Sequence, residues 1–530
     1  MRKTLVWLLA AVMILASLPA MATAEAGKYE TPYTITWTTY LIHPFAEDAE
    51  VIKKVEEKFN VDIQMLNIED ATFLEVLNTS YIAAGNTPDV IRLKDPSQLL
   101  TYVDQGVISP IDMEAVKTYA PLTYQRTNDF DNGSYWSMGV VEGAAYGLPS
   151  INATNAFHLP VVYNQKWLDK LGVTELPTTL EDFEKLLYRF AKEDPDGNGK
   201  DDTYGLSSDG LRVLFGAFGV NPGAPDGRTD HSYFQLDDQG NVVWAAQTEA
   251  YRQALAYAQK WYKDGVLDPE FITGENTGGY WAISHSFING RIGMTCRGNY
   301  YHWEEPNSYE GQPEAEVGAV FTEALAVDPE ADITFGRPVT GPEGKSGVKA
   351  WNMLMNFYCF GPGATQDPGK FQRILEIMDF MNQQYLHNPS QKEYMDFVYG
   401  DNYIVLDEEN FVFDTTEEFK AKYPADAAID QFGPLQWGPN LPYPLTTKQQ
   451  QWAYSLGYAE QGIVNLVQFS LPKMAEFQTN ITNLKDQMMI EFIKGERNLE
   501  DGWNSYIDEL NANGLKDMVQ EVVDWYAGSH

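Results

Sequence analysis

"YTITWTTYLIHPFAEDAEVIKKVEEKFNVDIQMLNI", Tyr33 to Ile68, is the stretch on which the fold turns. Its opening, "YTITWTTYL", is β-branched and aromatic and reads as a strand. "PFAEDAEVIKKVEEKF" has helical periodicity, with Pro44 at its start, where a missing N–H costs nothing. "VDIQMLNI" is a second strand. Beyond it, "ATFLEVLNTSYIAAGN" is a helix with Leu74, Leu77, Tyr81 and Ala84 on one stripe and Gly85 as its stop, and "PDVIRL" is a third strand. Strand-helix-strand-helix-strand requires parallel pairing through helical crossovers, so this part of the chain is an α/β lobe.

One lobe does not use up 530 residues, and a hydrophobic fraction of 44% is enough for at least two cores. "AYGLPSINATNAFHLPVVYN" reads as extended chain leading into new material. "PTTLEDFEKLLYRFAKE" offers Thr178 and Thr179 as helix caps and a stripe of Phe183, Leu186, Leu187 and Phe190. "TEAYRQALAYAQKWYKDG" repeats the device, with Tyr251, Leu255, Ala258, Trp261 and Tyr262 inward and Gly265 as its stop. "EVGAVF" and "WNMLMNFYCF" are expected strands, "PGKFQRILEIMDFMNQQYL" a helix, and the final third is mainly helical.

The net charge of -38 repels phosphate backbones and anionic lipid, which excludes nucleic acid and membrane surfaces as partners. The start, residues 1–24, reads as a secretory signal peptide. Arg2 and Lys3 precede the apolar run "TLVWLLAAVMILASL", and small residues at A-x-A spacing place cleavage near Ala22 or Ala24. An exported chain with only Cys296 and Cys359 is not built on disulfides, and the sequence leaves open whether these two pair. No cysteine lies near the signal to accept a lipid anchor, so the expectation is a monomer free in the periplasm or outside the cell.

Several stretches together resemble one family, the extracellular solute-binding proteins of carbohydrate ABC importers, and in particular its large oligosaccharide- and alginate-binding members. They are "AAGNTPDVIRL" (Ala83 to Leu93), "AYGLPS" (Ala145 to Ser150), "VVYNQKWLDKLGV" (Val161 to Val173), "PTTLEDFEKLL", "YAQKWYKDGVLDPE" (Tyr257 to Glu270), "FINGRIGMTCRGNYYHW" (Phe287 to Trp303) and the closing "FIKGERNLEDGWNSYIDELNANGLKDMVQEVVDWY". The resemblance implies a two-lobed periplasmic-binding-protein type II fold with crossover hinges, a helix-rich C-terminal part and a sugar gripped in the cleft. It implies an N-lobe of 25–150 and 317–385 and a C-lobe of 151–316 and 386–530. Crossings are expected near Leu148 to Val162, Glu316 to Thr322 and Asn382 to Pro389. The implied partners are an oligosaccharide, a membrane permease and its ATPase.

In "AKEDPDGNGKDDTYG", Ala191 to Gly205, oxygen-bearing residues alternate as calcium requires: Asp194, Asp196 and Asn198, then the Lys200 carbonyl and Asp202, with Gly199 for the turn. An EF-hand would need a Glu where Gly205 stands. In the alginate-binding members of the family an acid follows the last Asp, where this chain has Thr203. The loop follows a strong helix, so calcium here is expected to be structural; Asp, Asn and Gly also favour turns without any metal.

A sugar offers an apolar C–H face and a rim of hydroxyls, and calls for flat rings with planar polar side chains. In an open α/β sheet these belong at the carboxyl ends of strands. Trp37 and Tyr40 end the first strand, Asp70 follows the second, and Tyr163 and Asn164 lie past the first crossing. Arg297, Asn299, Tyr300 and Trp303 follow "RIGMTC", and Tyr300 matches the position of a sugar-stacking aromatic in the family's maltose binders. Trp281, Trp351 and Trp437 complete the candidates. No nucleophile elbow, zinc motif or phosphate loop is present, and seven scattered His give no paired ligands, so no catalytic residue is expected. A binder of peptide or another solute, or a ligand-sensing subunit of a membrane receptor, would share the fold; a glycoside-active enzyme is the remoter alternative. The acidic balance favours a neutral sugar over a uronate.

Overall fold

A computed structural model describes residues 28–41, 50–69, 72–93, 96–129, 131–152, 158–224, 231–273, 284–304, 317–351, 353–385, 389–408, 412–416, 418, 436–437, 457 and 461–529. The signal-peptide expectation lies outside them. β1 (Tyr33–Leu41) and β2 (Val61–Glu69) pair in parallel from Tyr33 opposite Val61 to Leu41 opposite Glu69. Between them α1 (Glu50–Phe59) buries Val51, Ile52, Val55 and Phe59, the spacing of one helical face. β3 (Val90–Leu93) lies on the other side of β1, with Trp37 opposite Val90. The α/β reading of the opening stretch holds.

Further along come β4 (Gly147–Asn152), β5 (Val161–Asn164), β6 (Met294–Cys296), β7 (Ile333–Gly336), β8 (Leu354–Phe360) and β9 (Gln436–Trp437). They form two main sheets. The first runs β9-β4-β8-β3-β1-β2, with β8 alone opposed to the rest; the second is an antiparallel β6-β5-β7. Alternation along β8 sends Tyr358 and Phe360 to one face of the first sheet and Phe357 and Cys359 to the other.

Around the second sheet, α2 (Leu180–Lys192) starts where Thr179 accepts a hydrogen bond from the Asp182 N–H, and buries Phe183, Leu186, Leu187 and Phe190 as its stripe requires. α3 (Glu249–Lys263) is capped in the same way by Thr248 and buries Tyr251, Leu255, Ala258 and Trp261. α4 (Pro368–Met381) belongs to the first core, with Asp367 accepting from Gly369 and Lys370. α5 (Pro472–Lys494) returns to the second core and ends on Gly495, whose φ of 75° suits a residue without Cβ.

Packing corrects the expected lobe boundaries. Val320, Phe321, Ala324 and Ile333 pack with Val162, Ile292 and Trp303, and Val339 and Val348 join the larger part of the second core, so 317–348 belongs to the second lobe. Tyr394, Met395, Val398 and Tyr399 pack with Val55 and Phe371 in the first. Apolar spacing says that these side chains are buried but not against which sheet. β4, in the first sheet, ends at Asn152, and β5, in the second, begins at Val161. The second crossing lies at 349–354 and not at Glu316–Thr322. The third lies between Trp437, paired beside β4, and Gly462, paired beside Val348, and not at Asn382–Pro389. "EVGAVF" does not make a strand, because Ala319–Val327 is helical.

Cys296 and Cys359 are both free and buried in different cores. Burial pushes the Cys296 thiol up to about 12 and raises that of Cys359 as well. A thiol reagent at pH 8 is therefore expected to label neither in the native protein and both in guanidinium, and reductant should leave the melting temperature unchanged.

Candidate functional site

The first two crossings run side by side in opposite directions. The Asn152 N–H donates to the Met353 carbonyl at 2.8 Å, the Leu159 N–H to the Lys349 carbonyl at 2.9 Å, and His158 pairs with Ala350. Residues two apart on an extended strand share a face, and Lys349 and Trp351 do so. The Lys349 ammonium stands 4.9 Å from the centre of the Trp351 ring and 5.8 Å from that of Tyr233, whose hydroxyl donates to the Ala350 carbonyl at 2.8 Å. Among tryptophans with described side chains, Trp351 alone is exposed, at 37%.

Its indole is held. Nε1 donates to Asn299 Oδ1 at 2.8 Å, and Asn299 Nδ2 lies 2.8 Å from the Tyr301 hydroxyl. Asn299 is in turn fixed by the turn it opens: its N–H donates to His302 Nδ1 at 3.2 Å. Tyr300 meets Tyr301 edge to face at 5.2 Å and is itself buried. The structure thus brings together three of the expected residues, Asn299, Tyr300 and Trp351, with Trp351 as the one that offers a ring face.

Others serve the frame. Trp37 is fully buried in the first core, because the alternation that buries Ile35 carries it to the same face. Tyr163 is fully buried in the second core, and Asn164 caps the short helix Gln165–Lys170 by accepting from the Trp167 N–H. Trp303 is fully buried and donates from Nε1 to the Arg297 carbonyl at 2.6 Å. Arg297 is buried with Asp209, which accepts from it at 2.7 Å and from Arg212. These are corrections to a ligand-wall reading of Trp37, Tyr163, Asn164, Arg297 and Trp303. Asp70 and Trp281 lie outside the described residues, as do the side chains of Tyr40 and Trp437; the Trp437 backbone pairs with that of Asn152. Sequence reasoning missed Lys349, Tyr301, Tyr233 and Asp209. The i, i+2 spacing in "KAW" was the one available signal for Lys349.

The Asp194 loop closes on itself. The Gly199 N–H points at both Asp194 carboxylate oxygens, at 3.2 and 3.3 Å, and Asn198 Nδ2 reaches Asp196 at 2.6 Å and Asp202 at 3.1 Å. The Lys200 N–H donates to Asn198 Oδ1. Asp194 has φ of 48° and Gly197 and Gly199 each 75°, which curls the segment. Among described residues no three acidic, imidazole or thiol side chains gather as a ready metal cluster. The donor set fits a hard cation only with the Asn198 and Lys200 oxygens included. The Thr203 hydroxyl turns away and donates to the Phe190 carbonyl at 2.9 Å, tying the loop to the end of α2.

A family model described as bacterial extracellular solute-binding protein matches residues 50–347, more than half of the chain. The chain belongs to that family. It is 24% identical over 363 residues to the polygalacturonan/rhamnogalacturonan-binding protein YtcQ of Bacillus subtilis, a match spanning 68% of this chain and 65% of that protein. It is 25% identical over 297 residues to the fructooligosaccharide ABC transporter substrate-binding protein FusA of Streptococcus pneumoniae, spanning 51% and 53%. The matches thus cover less than two thirds of these relatives' own length. In fold it is similar to FusA in an EF-hand mutant complexed with fructo-nystose (TM-score 0.63, 20% identity, 94% of this chain and all of that one) and to the alginate-binding protein AlgQ2 without calcium ion (0.63, 15%, 94% and 99%). The two-lobed α/β architecture is therefore that of the periplasmic solute-binding proteins.

Burial lowers the pKa values of His158 and His302 from the ordinary 6.5 to about 4. A neutral His302 is also what the Asn299 N–H requires, since an imidazolium has no acceptor. Because the folded values lie below the unfolded ones, the stability these groups contribute is complete above pH 6.5 and is lost as pH falls towards 4. Each is expected to remove about 2 kcal/mol between pH 7 and 4.5. Urea titrations at the two pH values, with His302→Gln losing less than the parent, check this.

Proposed function

We propose that this chain captures an oligosaccharide over its crossover strands and delivers it to a membrane ABC importer, docking on the permease and its ATPase as an exported monomer. The observation that carries the reading is Trp351, an exposed indole fixed by Asn299 on the strand that joins the lobes. A sugar's C–H face stacks on such a ring, while the Asn299 amide and the Tyr301 hydroxyl stand beside it for the sugar's hydroxyls. The carbohydrate ligands named for YtcQ and FusA support the same class. No bond is made or broken, so the protein works as a carrier and not as an enzyme. Export rests on the signal peptide read in residues 1–24, cut near Ala22 or Ala24.

Ligand binding to the folded state alone raises stability by about 2.7 kcal/mol at a hundredfold excess over Kd. Melting curves with fructo-oligosaccharides, maltooligosaccharides, oligogalacturonides and peptides are expected to shift by several degrees for one carbohydrate class. Trp351→Ala should weaken that ligand at least tenfold while leaving the ligand-free melting temperature within about a degree, since an exposed residue carries little of the fold. Stabilisation by peptides alone, or turnover of the sugar, would overturn the reading.

We further propose that the Asp194 loop binds calcium through Asp194, Asp196, Asn198, the Lys200 carbonyl and Asp202, as a staple on the end of α2. A bound cation would take the place of the Asn198 and backbone N–H groups that now neutralise these carboxylates. A chelator should lower the melting temperature and calcium restore it, with the response lost in Asp202→Asn. Identical curves with and without chelator would refute the metal.

A further inference from the structure

The strands of the first sheet end in polar residues on one edge. Thr38 near the end of β1, Arg92 in β3, and Ser150 and Asn152 in β4 are all buried at the carboxyl ends of parallel strands. β8 runs the other way, so its amino-terminal residues reach the same edge, and there Asn356 lies in register with Ser150. This is the edge from which both crossovers leave, and in open α/β sheets it is where ligands are held.

Asn356 is fully buried, and neither Nδ2 nor Oδ1 has a hydrogen-bond partner among the described residues. A buried carboxamide with both ends unmet lowers stability, and such a group in a folded protein calls for an explanation. The chain also goes out of its way to place it. Strict alternation would put Leu354, Asn356, Tyr358 and Phe360 on one face. The ladder to β4 slips between Leu354 and Asn356, so that Leu354 packs with Phe357 and Cys359 while Asn356 keeps the alternation of Tyr358 and Phe360. Such bulges re-aim side chains beside functional sites.

We propose that the Asn356 carboxamide is the first lobe's reader of sugar hydroxyls, acting on the same ligand that stacks on Trp351. The inference rests on the carbohydrate reading above and extends it. An amide places a donor and an acceptor side by side, which suits two neighbouring hydroxyls. Trp351 and Asn356 are five positions apart in the chain, a reach of at most about 17 Å. Trp351 is bonded to the second lobe through Asn299, while Asn356 is built into the first sheet. One ligand touching both holds the two lobes at once.

The test uses the mature protein and whichever carbohydrate stabilises it in the melting panel. Asn356→Leu removes the unmet amide at nearly constant volume. It should raise the ligand-free melting temperature and weaken oligosaccharide binding at least tenfold by calorimetry. Asn356→Asp, the closest replacement in shape, keeps a folded variant available and should also bind at least tenfold more weakly, because it loses the donor. Parent-like affinity in either folded variant overturns the assignment, as does a lowered ligand-free melting temperature with unchanged Kd, which would make the amide structural. If the parent is stabilised only by solutes other than sugars, the carbohydrate reading fails and this inference fails with it. If the parent binds a sugar that the variants bind equally well, only the inference fails.

Discussion

The backbone ladder between the two crossover strands is the constraint on which the rest depends. β4 finishes the first sheet and continues into β5 of the second, while the chain from Val348 returns into β8 of the first. Described residues of the two passages are bonded at Asn152–Met353 and Leu159–Lys349. Bonds between the two passages tie the lobes together, and relative movement of lobes about such a connection is the hinge class of motion. Trp351 stands in one of these passages, and its bond to Asn299 is why an exposed ring can still serve as a fixed platform.

Support for that platform runs inward through increasingly buried groups. Trp351 is held by Asn299, Asn299 by the turn that His302 closes, and the start of that turn by Trp303, which donates to the Arg297 carbonyl. Arg297 ends in the buried set with Asp209 and Arg212. Buried ion pairs give weak net stability, because desolvation offsets much of their attraction, but breaking one is costly. Their worth here lies in fixing where residues 297–303 sit. In the proposed reading, Arg297 and Trp303 therefore act one layer behind the ligand contact.

That displacement explains how far the sequence could be read. The first α/β unit, the caps at Thr179 and Thr248 and the stripes of α2 and α3 were legible because each is set within a few residues, by side-chain period and by hydroxyls beside helix starts. The return of 389–399 to the first core and of 317–348 to the second was not, since a stripe records burial and not the partner. Trp37, Trp303 and Trp351 are the same residue type, and spacing alone could not tell which one faces outward. Trp351 differs in standing just past the segment that pairs with Gly462 and Ile463, a property of topology alone. The Asp194 loop was legible as a turn, from its Gly and Asp content, and its oxygens were legible as candidates. That the Thr203 hydroxyl turns back to the Phe190 carbonyl was not.

In the proposed reading, the polar edge of the first sheet and the Trp351 ring answer different parts of one recognition problem. Stacking is tolerant: any ring with a C–H face fits an indole, and the contact survives sliding. A carboxamide is not tolerant, because its donor and acceptor occupy fixed positions. It meets a hydroxyl pair or stays unmet. A desolvated amide discriminates more sharply than an exposed one, since a ligand lacking the matching hydroxyl leaves it buried and unpaired at full cost. Affinity from the exposed ring and selectivity from the buried edge are thus separable. Each is anchored to a different lobe, so only a ligand long enough to engage both gains from both and favours the arrangement in which the two lie on one molecule.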